Sequence, residues 1–193
     1  MRLSTVLLFC LFILCCTGAA NSACRRLQVF PGAVAALSLL AAAISAFSWE
    51  IVPQCSIFPA SLLLIALCVC YLPINNADLV HSLLLAFVVG IFSWLIQSFV
   101  PAVYEPGVLL ALPSAVAARW LLGKKSAGLL CTLLSPLFYA SMVLLEDWYL
   151  FDVVQITFGS PLQFDAQVCG ALLYAIFLHI PRLHQINRLA TQK

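Results

Sequence analysis

Asp78 and His81 are the two side chains of this 193-residue chain whose types and spacing come nearest to chemistry. Three positions apart, they reach one face of a helix. An acid and an imidazole so placed inside a membrane can relay protons or hold a cation. The plainer reading is a helix start. An acid is stabilised in the first turn by the positive end of the helix dipole, and Asn75 and Asn76 just before it are good capping types. Arg119 is the other candidate, as a holder of an anionic group. It stands about one turn before Gly123-Lys124-Lys125, so its long side chain can equally snorkel to the headgroups. His179, beside Arg182 and His184, reads the same way. Asp78, His81 and Arg119 are therefore the candidate ligand or proton-site residues.

The nine cysteines point to packing rather than redox or metal work. Seven of them, Cys10, Cys15, Cys16, Cys68, Cys70, Cys131 and Cys169, lie in apolar runs, where a thiol behaves as a small hydrophobe. Cys68 and Cys70 point roughly 200° apart on a helix and cannot share one ligand geometry. No C-x-x-C occurs, and no histidine stands at zinc-ligand spacing. The nucleophile elbow G-x-S-x-G, H-E-x-x-H, the P-loop and G-x-G-x-x-G are all absent. The expectation is a non-enzyme without catalytic residues, metal ligands or cofactor.

Composition says what must position these residues. Hydrophobic residues make up 64% of the chain and charged residues 8%. A soluble domain is roughly 45–50% apolar and about 25% charged. A chain this size cannot hide that much apolar surface by folding in water, whereas a lipid bilayer solvates it. The net charge of +2, without a basic cluster, excludes nucleic acid as a partner.

A membrane helix needs about 20 mostly apolar residues, with a range of roughly 17–25. Seven runs qualify or nearly so: 3–23, 27–48, 57–72, 79–100, 108–122, 127–145 and 164–180. Prolines and charges punctuate them, because proline cannot continue a helix and charge is costly in hydrocarbon. The runs are continuous rather than alternating, so they read as helices and not as barrel strands. The fold expected is an all-α, polytopic integral membrane bundle with six or seven transmembrane helices and one domain over 1–193. The lower number applies if 3–23, which also fits a signal peptide ending near Ala23, is cleaved.

Orientation follows from lysine and arginine, which favour the cytoplasmic side. With Arg25-Arg26 inside and the runs threaded alternately, Lys124-Lys125 and the tail carrying Arg182, Arg188 and Lys193 also fall inside. Of the seven acids, all but Asp78 fall outside. This gives a cell-membrane protein with a cytoplasmic C-terminus. The stretch 146–163 is too apolar for a free loop, and its Trp148 and Tyr149 suit an outer interfacial segment.

Small residues recur in two runs. Gly32, Ala36, Ala42, Ala43, Ser45 and Ala46 lie in 27–48, and Ala111, Ser114, Ala115 and Ala118 lie in 108–122. Such residues let helix backbones approach closely, either within the bundle or on a partner membrane helix. The function expected is therefore a non-enzymatic role through partner proteins in the membrane, in assembly or as a scaffold. The alternative is a small-solute transporter or its substrate-binding subunit. A transporter needs polar side chains converging at mid-bilayer, and the runs offer Ser38, Ser93, Gln97, Thr132, Ser135 and Tyr139. An apolar ligand would need fewer.

Overall fold

Each of the seven apolar runs contributes helix among the described residues. The computed structural model describes residues 3–27, 29–45, 47–52, 55–71, 75–99, 106–122, 124–151 and 156–178. Among these, eight helices form: α1 (Leu3–Cys16), α2 (Asn21–Leu27), α3 (Pro31–Ile44), α4 (Pro59–Tyr71), α5 (Asn76–Phe99), α6 (Pro106–Leu121), α7 (Lys125–Phe151) and α8 (Pro161–Phe177). Three short strands, β1 (Trp49–Val52), β2 (Cys55–Ile57) and β3 (Ile156–Phe158), accompany them. The expected all-helical bundle is present, and the small sheet is an addition to it.

Proline sets the starts of α3, α4, α6 and α8. Its fixed φ suits the first helical position, where its missing N–H is not needed. The start of α8 is further held by a capping box: Ser160 Oγ accepts from Gln163 N at 3.3 Å, and Gln163 Oε1 accepts from Ser160 N at 3.1 Å.

The first expected run is not one straight span. It breaks between α1 and α2, whose axes differ by 97°. Gly18 causes the break by taking φ +79, a left-handed conformation that glycine adopts without strain. Its N–H donates to Cys15 O at 3.2 Å and the Ala20 N–H donates to Leu14 O at 3.0 Å, closing α1 with a glycine cap. The expected stop at residue 145 also moves. Glu146 and Asp147 lie inside α7, which continues to Phe151. Charges end an apolar window, but glutamate and leucine still favour helix.

The helices pack as an alternating bundle, with α5 against α7, α6 against α8 and α1 against α3 as the broadest contacts. The sheet caps one end. β1 pairs antiparallel with β2, and β2 pairs parallel with β3 through Cys55–Ile156, Ser56–Thr157 and Ile57–Phe158.

The threading sorts charge between the two ends. Arg25 and Arg26 on α2, Arg119 near the end of α6, and Lys124 and Lys125 at the start of α7 gather where α8 ends. Asp165 near the start of α8 and Glu146 and Asp147 late in α7 lie toward the sheet end. Asp78 is the acid at the basic end.

Helix length separates the elements. Two helices among the described residues, Asn76–Gln97 and Lys125–Leu150, are long and apolar enough to cross a membrane, and the bent α1–α2 pair would make a third. α3, α4 and α6 are apolar but shorter. Six or seven crossings therefore do not follow from helix length alone. The outward face of α5 carries Val80, Leu84, Val88, Phe92 and Phe99, all exposed. Their spacing of four or seven residues makes one continuous apolar stripe along the helix.

Candidate functional site

Asp78 and His81 share the first turns of α5 but take separate partners. Asp78 Oδ2 lies 2.6 Å from Lys124 Nζ, an ion pair between the starts of α5 and α7. His81 is exposed, and its Nδ1 donates to Ala77 O at 2.6 Å, one turn back on its own helix. Arg119 Nε donates to Phe177 O at 2.9 Å. Arg26 Nη1 donates to Leu178 O at 2.8 Å from the other side. Two guanidinium groups thus satisfy carbonyls at the end of α8, where a helix presents unpaired acceptors and the negative end of its dipole. The three candidate residues lie at the basic end and do not converge on one cavity.

Of the six polar side chains in the apolar runs, five lie on the packed pair α5 and α7, and Ser38 lies on α3. Tyr139 OH donates to Gln97 Oε1, joining α7 to α5. Thr132 Oγ1 donates to Leu129 O at 2.7 Å, within its own helix. Ser93 and Ser135 are buried. Gln167, which the sequence reading passed over, is wholly buried. Its Nε2 donates to Leu133 O at 2.8 Å while its Oε1 has no partner. An amide inside the apolar run 164–180 is the signal that would have found it.

Cys15 and Cys24 come together from α1 and α2, both buried and packed with Ala35. Their spacing in the chain matches no thiol motif. Among the described residues, no group of three or more His, Cys, Asp or Glu side chains is placed to hold a metal ion.

Among the described residues, a half-open chamber of about 210 Å³ in the half of the bundle nearer the basic end can take a ligand. Six helices wall it. Leu8 and Leu11 come from α1, Leu37 and Ser38 from α3, Leu64 and Cys68 from α4, Leu129 and Leu133 from α7, and Val168, Ala171 and Leu172 from α8. α2 lies across its basic end, turning Ala23, Cys24 and Leu27 to the chamber. The Ser38 hydroxyl is the one hydroxyl on this wall, and it donates to Ala35 O at 2.9 Å rather than into the space. Such a lining holds an apolar group, since beyond Ser38 it offers a polar solute only the weakly donating thiols of Cys24 and Cys68.

The small-residue faces have different fates. Ala111, Ser114, Ala115 and Ala118 on α6 are fully buried. This stripe is used inside the bundle, with Ser114 meeting α8 at Gly170. On α3, Ala35, Ser38, Ala41 and Ala42 are buried, while Gly32 has open space where a side chain would stand.

Compared with protein-family models, with curated proteins and with solved structures, the chain matches none of them.

Proposed function

We propose that this chain is a multi-pass membrane protein that works by binding an apolar group inside its bundle, without catalysing a reaction. The chamber between α1, α2, α3, α4, α7 and α8 carries the reading. Its volume of about 210 Å³ exceeds the roughly 150 Å³ apolar cavity that stays dry and takes benzene. It falls below the roughly 300–1,000 Å³ of pockets that enclose drug-sized molecules. A small apolar body or a segment of chain fits, and a whole polar solute does not.

The membrane arrangement that goes with this reading has seven crossings and the basic end in the cytoplasm. Supporting it are the gathering of Arg25, Arg26, Arg119, Lys124 and Lys125 at one end and the apolar stripe on α5. At about 1.5 Å per residue, α5 and α7 reach about 36 and 40 Å, while α3 and α4 reach about 20 Å. The hydrocarbon core is about 30 Å thick. The short helices cross if the bilayer thins locally around them, at a cost of a fraction of a kcal/mol per Å.

A second reading, assembly with a partner membrane protein, is favoured by the open face of α3. Gly32 and Ala36 there are exposed and four residues apart, and small residues at that spacing allow close helix approach.

Purification of the full chain in a mild detergent separates the two. The expected result is an apolar or chain-bearing molecule in stoichiometric amount, lost when Ala171→Phe fills the chamber. A stoichiometric membrane protein without any such molecule would overturn the binding reading and favour assembly.

A further inference from the structure

Resting on the reading that the chamber binds an apolar group, we infer that this group is one hydrocarbon chain of an anionic amphiphile, with its headgroup held by Arg25 and Arg26. Three observations lead there. The volume suits a chain segment, and apart from two weakly donating thiols the wall offers a polar body no free hydrogen-bond donor. The floor is two-faced: α2 turns Ala23, Cys24 and Leu27 to the chamber while Arg25 and Arg26 are exposed beside it. A molecule whose apolar part lies in the chamber therefore has its polar part next to two guanidinium groups.

The third observation is charge. Arg25 has no ion-pair or hydrogen-bond partner among the described residues, and Arg26 uses one donor on Leu178 O and keeps others. Asp78, the one acid at this end among the described residues, is already paired with Lys124 at 2.6 Å. The opposite end carries Asp165, Glu146 and Asp147, which repel an anionic head. An anionic head is thus favoured at the α2 end and disfavoured at the other, which also fixes the direction in which the chain lies. Guanidinium forks suit phosphate and carboxylate alike, so a phospholipid of the bilayer and a free fatty acid share the required chemistry.

Photo-crosslinking of the full chain in vesicles tests this. The chain is reconstituted in phosphatidylcholine vesicles doped with one mid-chain diazirine probe at a time: phosphatidylglycerol, oleic acid or phosphatidylcholine. Labelled peptides are then mapped. The expected result is labelling within 64–68 and 168–175, with the anionic probes ahead of the neutral one by about fivefold, the effect of one basic residue near an anionic head. Arg25→Gln, an exposed change, should remove most of that preference and leave neutral labelling unchanged. Competition by unlabelled oleate or by unlabelled phosphatidylglycerol then tells the two sources apart, and displacement by either supports the inference. Equal labelling by all three probes, unmoved by Arg25→Gln, overturns the anionic head and leaves the apolar chamber standing. Labelling confined to outward residues such as Leu84 and Phe92 overturns both.

Discussion

Arg26 Nη1 donates to the carbonyl oxygen of Leu178 across 2.8 Å, tying the short helix α2 to the end of α8. The bond joins residues 152 positions apart and holds in place the segment that floors the chamber. Arg26→Ala should cost about 1 kcal/mol, below the roughly 1.5–3 kcal/mol of a buried charged donor because the side chain is exposed to water. The clearer readout is local. Amide hydrogen exchange over 21–27 should speed up while exchange in α7 stays unchanged. Unaltered exchange in α2 would show that the contact does not hold the floor.

Gly128 sits under the ring of Tyr174. A Cβ added there would stand 2.8 Å from Tyr174 Cε2 and closer still to the ring carbon and hydroxyl beyond it. Tyr174 is 1% exposed, and its hydroxyl donates to Lys125 O at 3.1 Å, so the ring has no room to yield. Gly128→Ala should therefore destabilise by about 1–3 kcal/mol, the usual cost of overpacking. In a double-mutant cycle with Tyr174→Ala the two losses should be less than additive. Additive losses in thermal unfolding would place the strain elsewhere.

The pairing of Asp78 with Lys124 sets a limit on Asp78→Asn. The side chains are 23% and 50% exposed, and such pairs contribute about 0–1 kcal/mol. The variant should unfold within a few degrees of the parent and keep its bound molecule. Loss of a proton-coupled activity with normal folding would instead assign Asp78 and His81 the relay role.

Orientation is tested by a reporter fused after Lys193 and a second placed after Glu50. The first should be active on the cytoplasmic side and the second on the outer side. A C-terminal reporter active only outside would invert the arrangement. Trp148, 61% exposed near the end of α7, gives an independent measure of depth. As the sole tryptophan it should be quenched more by a headgroup-level spin label than by one at the chain end.

Helix positions were legible because each depends on a contiguous property, an apolar run closed by proline or charge. What escaped depended on distant partners or on one backbone angle. The apolar run continues across Thr17–Ala20, and the φ of Gly18 alone decides that α2 turns away. Strand β3 is three residues long and acquires its identity from Cys55, Ser56 and Ile57, far back in the chain. Asp78 was readable as a helix-start residue, yet its partner Lys124, 46 positions on, was not. The chamber has no motif at all. It is space left between leucines, valines and alanines of six helices, each reading as ordinary core. Gln167 differs, because an amide inside an otherwise apolar run is itself a signal in the sequence.

The backbone N–H of Ser4 donates to Asp165 Oδ1 at 2.9 Å, a contact between residues 161 positions apart. A helix N-terminus leaves its first amides unpaired, and in lipid each is expensive. The amide at the start of the first helix therefore waits for the last one. Truncation before residue 165 would remove the acceptor of the Ser4 amide, so a loss late in the chain is felt at the start of α1.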